Sequence, residues 1–268
     1  MPCAAMVYQP QVAAARPLVD ACIAHLDTRG WSATAISSWE LDDNPPVPSV
    51  DMVVTFGGDG TILRAARWVA AMRIPIVGVQ LGRLGFLAEV QPDTLPGALD
   101  PYLAGDCWSD ERAMMAVSIA PGHTIRALND VVIGRGLAPR TVTVDVGLGD
   151  TVLQRFRCDG VIVATATGST AYSFAAGGPI LVPASTDMVV TPICPHMSAL
   201  RSVIVPGDTE LRLQVWTTQP AVISVDGQID QSADDGAAVQ VRRSDCATIF
   251  ARRGSRAEFY QRLLAKLN

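Results

Sequence analysis

Lysine is almost absent from this chain. Of its 21 basic residues only Lys266 is a lysine, which leaves 20 arginines. A Gly-Lys-Ser/Thr phosphate loop is therefore excluded, as is a strand lysine of the protein-kinase type. Any nucleotide site must work with backbone amides, arginine, carboxylates and metal. Paired cysteines are missing too. Cys3, Cys22, Cys107, Cys158, Cys194 and Cys246 stand singly, and the three histidines form no ligand spacing with them. They read as buried small residues of a reduced cytosol, so the expected location is cytoplasmic. No apolar run approaches the roughly 18 residues of a membrane span, and no basic stretch with a long apolar core opens the chain. Neither a span nor a secretion signal is expected. A net charge of −5 leaves no footprint for nucleic acid. Internal repeats and low-complexity segments are also lacking.

What is present is apolar bulk: 49% of the 268 residues are hydrophobic and 18% charged. That length can build two modest domains, each with its own core. Residues 51–61 read D-M-V-V-T-F-G-G-D-G-T. A short β-prone run stops at paired glycines, a lone carboxylate follows, and a helical pattern takes over at residues 62–72. A strand that turns through glycines into a helix start offers backbone amides and the positive helix end to phosphate. A carboxylate among those amides repels phosphate unless it holds a metal or takes a proton from a hydroxyl. That points to phosphoryl transfer, although an ordinary βα turn with a capping Asp gives the same spacing.

Around this stretch, strands at residues 6–8, 31–36 and 74–80 alternate with helical segments, predicting a parallel sheet with helices on both faces. The acidic loop at 37–49 (Glu40, Asp42, Asp43) is expected to be solvated. A helix is expected at 94–103. From residue 114 to about 250, short β-branched runs separated by Gly, Pro and Asp predict a β-rich second domain. One helix beginning near Ser169 interrupts it, and a closing helix follows at 256–267. The division expected is residues 1–110, completed by 252–268, and residues 111–251.

Three further stretches carry polar groups. Asn129 and Asp130 open a strand, where they clamp sugar hydroxyls and an adenine edge or merely cap a turn. Residues 159–173, D-G-V-I-V-A-T-A-T-G-S-T-A-Y-S, run a strand into a Thr/Gly/Ser-rich helix start. That start holds phosphate or ribose oxygens, or else Ser169 and Thr170 are helix caps. Residues 225–228, V-D-G-Q, read as a hairpin turn.

Together these stretches resemble the NAD kinase family. The match covers GGDGT with the following I-L-R, L-G-R-L-G-F, L-N-D-V-V-I, the 159–173 stretch, G-G-P-I, P-I-C-P-H, V-D-G-Q and F-Y-Q-R-L, in the family's order over most of the chain. GGDGT alone is shared with diacylglycerol, sphingosine and phosphofructokinases. The resemblance implies a two-domain fold, a Rossmann-like α/β domain followed by a β-rich NAD-binding domain, and transfer of phosphate from ATP or another donor to the adenosine ribose 2′-hydroxyl of NAD. It implies Asp59 as the catalytic carboxylate. The amides of Gly57, Gly58, Gly60 and Thr61 would face phosphate, with Arg64 at the donor and Gly60 also at NAD. Phe86, Asn129 and Asp130 would hold the adenosine part. Asp159, Thr170, Ala171, Tyr172 and Ser173 would lie at the nicotinamide end, partly from a neighbouring subunit. Arg83, His196, Asp226 and Gln228 are further candidates, with a packed structural role open for His196. Mg²⁺ would arrive on the donor phosphates, and a homodimer or homotetramer is implied. Two departures stand out: Asp130 where the family usually has Glu, and Ala166 where it commonly has Pro.

Three rivals remain at this level. A lipid kinase shares GGDGT but not the L-N-D and T-G-S-T-A-Y stretches. A sugar-phosphate kinase would grip its substrate with Arg83, Arg135 and Arg140. A nucleotide sensor would have kept the pocket and lost turnover.

Overall fold

The computed structural model describes residues 1–82, 85–120, 122–136, 140–149 and 151–267. Two compact units divide the chain: Met1–Glu111 with Thr248–Asn268, and Arg112–Ala247.

In the first unit, β1 (Cys3–Tyr8), α1 (Ala15–Thr28) and β2 (Ser32–Ser37) are followed by β3 (Met52–Gly57), α2 (Asp59–Val69) and β4 (Ile76–Gln80). The strands pair in parallel in the order β2-β1-β3-β4. β3 and β4 are buried at every position. That is why they read as near-continuous apolar runs instead of alternating ones: parallel strands are covered on both faces. Met6, Val54, Phe56 and Val79 pack with Val19, Cys22 and Leu26 of α1. α2 buries Ile62, Leu63, Ala65, Ala66, Trp68 and Val69, its apolar stripe. Each fully buried large side chain of this kind contributes roughly 1.5–3 kcal/mol.

One expectation fails here. In place of a helix over 94–103 there are 3₁₀ turns at Pro92–Thr94 and Gly97–Leu99 and a single α turn, α3 (Asp100–Leu103). Pro96 and Pro101 lack the amide a continuous helix needs, and their rings clash with the preceding turn. The acidic loop is exposed at Glu40, Asp42 and Asp43, as expected, and it also makes surface pairings. Asp42 pairs with Arg64 at 2.9 Å and Arg67 at 3.9 Å, and Glu40 accepts the Ser37 amide.

The second unit is built of β5 (Trp108–Ala120), β6 (His123–Ala127), β7 (Asp130–Gly134), β8 (Val142–Leu148), β9 (Thr151–Cys158), β10 (Gly160–Ala164), α4 (Tyr172–Ala175), β11 (Met188–Ile193), β12 (Val203–Val205), β13 (Leu211–Trp216), β14 (Ala221–Val225), β15 (Ile229–Ala233) and β16 (Ala238–Arg252). β5 begins in the first unit, and β16 ends in it with Phe250 beside Ile76. α5 (Glu258–Leu267) closes the chain. The helix expected near Ser169 is only a 3₁₀ turn, Gly168–Thr170, followed by the single turn of α4.

One antiparallel sheet runs β12-β11-β10-β7-β14-β15. β13 lies between β8 and the early part of β16, and β9 pairs with β8. Alternate residues of both sets, among them Val131, Val163, Ile223, Val144, Phe156 and Leu213, form one core. The cysteines are free, as read, but Cys107 and Cys194 are exposed instead of buried. Among the described residues no helix is long and apolar enough to cross a membrane.

Candidate active site

β3 ends at Gly57, the backbone stays extended at Gly58, and Asp59 opens α2. Its carboxylate thus lies in the first helical turn, where the unpaired amides favour negative charge. Both oxygens are held. Oδ2 accepts the Phe86 amide at 2.9 Å and Oδ1 accepts the Leu87 amide at 3.3 Å. The backbone of Gly85 passes so close that a Cβ there would stand 2.1 Å from Asp59 Oδ1. Gly85 is itself held through its amide by Gln80 Oε1 at 3.1 Å. Gly85, Phe86 and Leu87 are therefore the cradle of Asp59. An ionised carboxylate offers about four lone-pair sites, and two amides leave room for a further donor.

Other candidates in this unit behave differently. The Thr61 amide donates to the Gly58 carbonyl at 3.0 Å, closing the turn, so it is not turned to phosphate as expected. Arg64 is engaged by both oxygens of Asp42, which corrects its assignment to the donor. Gly57 is buried in β3, Gly58 is half-buried and Gly60 exposed. The half-buried Phe86 ring lies 6.4 Å from that of Phe259 on α5. Arg83 lies outside the described residues.

In the second unit the remaining three stretches meet. Asp226 Oδ2 accepts the Leu128 amide at 3.0 Å, and its Oδ1 accepts those of Asn129 at 2.8 Å and Asp130 at 3.2 Å. The Thr165 hydroxyl donates to the Leu128 carbonyl and the Thr165 amide to that of Asn129. At Gly168 a Cβ would stand 2.0 Å from the Asn129 carbonyl oxygen, so only glycine fits that close approach. Asp130 is 5% exposed, and burial together with the Asp226 charge pushes its carboxyl up to about 7.

The hairpin reading of V-D-G-Q is correct as geometry: Asp226 and Gly227 have positive φ, and the Gln228 amide returns to the Val225 carbonyl. The role of Asp226 as the anchor of residues 128–130 was not visible in it. The only local signal was a carboxylate where a turn would accept Asn equally well.

The other candidates of this unit differ in their surroundings. The Ser173 side chain is fully buried and bonds Thr191 Oγ1 at 3.1 Å, so it is not presented to a ligand as expected. Thr170 bonds the Thr167 carbonyl, the Ala171 amide bonds Gly168, and Tyr172 is exposed. Asp159 pairs with Arg135 at 3.4 Å. His196 is exposed, which removes its packed reading.

Comparison with known proteins decides the family. The ATP-NAD kinase N-terminal domain matches residues 40–107 and the ATP-NAD kinase C-terminal domain matches residues 128–252. A curated NAD kinase of Dehalococcoides mccartyi (strain CBDB1) is 37% identical over 268 residues, covering 98% of this chain and 94% of that protein. The chain belongs to the NAD kinase family. An NAD kinase of Chloroflexus aurantiacus is 38% identical, covering 98% and 97% of the two chains. Two solved structures share the fold at 24% identity. One is an NAD kinase from Archaeoglobus fulgidus in complex with ATP, with a TM-score of 0.81 and 98% and 99% coverage. The other is yeast NADH kinase complexed with NADH, with a TM-score of 0.85 and 100% and 87% coverage. The chain is accordingly an NAD kinase-class enzyme. Among its described residues no three His, Cys, Asp or Glu side chains converge as a metal cage.

Proposed function

We propose that the enzyme transfers a phosphoryl group from ATP to the adenosine ribose 2′-hydroxyl of NAD, giving NADP, with Asp59 as the base. The observation that carries this reading is the Asp59 carboxylate, fixed by two amides at the first turn of α2. A ribose hydroxyl is a poor nucleophile and the transferring group carries dispersed charge, so catalysis rests on positioning and electrostatic stabilisation. Mg²⁺ is expected to arrive on the donor phosphates. Mg²⁺ so carried would supply the positive charge that this nearly lysine-free chain lacks. Asp59 would orient the hydroxyl and take its proton, while amides of the Gly57-Gly58-Gly60 turn would face phosphate.

Phe86, Asn129 and Asp130 would hold the adenosine part, and Asp159, Thr170, Ala171 and Tyr172 the nicotinamide end. The ATP held by the Archaeoglobus relative supports that donor, and the NADH of the yeast relative supports a nicotinamide dinucleotide acceptor. Sites shared across a homodimer or homotetramer, and a cytoplasmic location, complete the proposal. The exposed rings of Tyr172 and Phe174 are in keeping with a subunit surface.

In the test, Asp59→Asn lowers kcat by about 10²–10⁴ while NAD still binds by calorimetry. Near-normal turnover in a coupled NADP assay removes Asp59 from the role. A matrix of NAD and NADH against ATP and polyphosphate then fixes donor and acceptor.

A further inference from the structure

We infer that Asp226 is a positioning residue, shaping the Asn129–Asp130 grip on NAD and making that grip respond to pH. The inference rests on the function proposed above. A two-residue hairpin turn with positive φ asks only for Asn-Gly or Asp-Gly. Asp226 does far more than turn the chain. It is 7% exposed, and its two oxygens accept three consecutive amides 96 to 98 residues away in sequence. An asparagine there would keep one acceptor oxygen and aim an N–H₂ at an amide, leaving at least one donor buried and unpaired. The bonds as they stand are charge-assisted, which strengthens them. They fix the backbone from which Asn129 and Asp130 project.

The charge of Asp226 has a second effect. Asp130 holds its proton up to about 7, through burial first and Asp226 next. The two strands paired with β7 bring no counter-charge to Asp130. β7 beyond Asp130, β10 and β14 carry no titratable side chain along their lengths. Arg112 is directed to Thr167 Oγ1 at 3.4 Å. Asp159, with Arg135, lies at the opposite end of β10, and the exposed Asp230 of β15 pairs in register with Ser224. Sugar hydroxyls and the adenine amino group are donors, and an ionised carboxylate is acceptor-only. The ionised form of Asp130 is therefore the one that grips, and affinity for NAD rises as pH climbs through about 7. Removing the Asp226 charge lets Asp130 ionise at lower pH and moves that rise downward.

The experiment measures KM for NAD and for ATP, with kcat, for the full-length wild type and Asp226→Asn from about pH 5.5 to 8.5. At pH 8 the variant is expected to raise KM for NAD about tenfold, the cost of one unpaired buried donor. KM for ATP and kcat should stay within about twofold. Its inflection in KM for NAD should lie below that of the wild type, a displacement that loosened packing alone would not cause. A folded variant with unchanged KM and inflection overturns the inference. If Asp226→Asn does not fold, Asp130→Asn decides: the wild-type inflection must vanish, and its persistence is equally fatal. Should the wild type make no NADP from NAD, ATP and Mg²⁺, the proposed function fails. NAD binding by calorimetry across the same pH range would still read the Asp226 effect.

Discussion

Asp59 is held by backbone, and backbone cradles are sensitive to a single added carbon. Gly85→Ala would set a methyl group against the carboxylate, and the side chain must yield. A displacement of about 1 Å at a reacting group costs on the order of 10²-fold. We expect kcat to fall by about that factor, with NAD affinity and circular dichroism unchanged; a kcat within about twofold of wild type would mean the loop absorbs the methyl. Asp130 gives a second residue-scale outcome. The folded chain holds its proton up to about 7, against a reference value of 3.8. The folded state therefore binds that proton more tightly than the unfolded one, and stability falls as pH rises through this window. Asp130→Asn should flatten that decline in melting temperature between about pH 4 and pH 7. At this scale the places of Asp59 at a helix start and Asn129 before a strand were legible, because a carboxylate after paired glycines and an Asn-Asp strand opening are local patterns. Asp226 was not, since its three bonds join distant positions and no spacing encodes them. Ser173 was misplaced because a helix-start pattern carries no information about depth.

Among the elements, the end of β16 stands behind the catalytic loop. Arg252, 6% exposed, donates to the Leu87 carbonyl at 2.6 Å, and the Leu87 amide in turn holds Asp59. Its guanidinium also meets Asp110 at 3.4 Å and Glu89 at 3.8 Å, and lies 4.6 Å from the Phe250 ring centroid. Arg252→Met leaves two carboxylates with little exposure and no countercharge from this residue. A loss of about 3–5 kcal/mol in urea unfolding is expected. Turnover should drop as well, because the loop under Asp59 loses its tie; full activity at reduced stability would separate the two roles. The alternation of strand and helix before residue 80 was readable, since buried parallel strands and an amphipathic helix leave different periods. The 94–103 segment was not, because its apolar spacing is helical and its two prolines overrule it. The pairing of Arg64 with Asp42 likewise joins a helix to a loop that local reading treats separately.

For the molecule as a whole, the first unit is assembled from both ends of the chain, Met1–Glu111 and Thr248–Asn268. Removing the second segment takes away Phe250 beside Ile76 and the Arg252 anchor. A chain ending at Ala247 is expected to lose the first unit to limited proteolysis while a fragment near Arg112–Ala247 persists; equal digestion of both would contradict this. The shift from alternating elements to a β-rich run was legible because burial on both faces and burial on one leave different sequence rhythms. Which distant strands would pair was not, since register is settled by contacts across the fold. The cysteines add a practical consequence. Cys22 and Cys158 are sealed, their thiols pushed up to about 11 and about 12 by burial, while Cys107 in the first unit and Cys194 in the second face solvent. Cys3 and Cys246 are half-buried, so Cys107 and Cys194 are the most open to a thiol reagent. An environment-sensitive dye coupled to either one would report on the surroundings of its own unit as nucleotides come and go, without any engineered substitution.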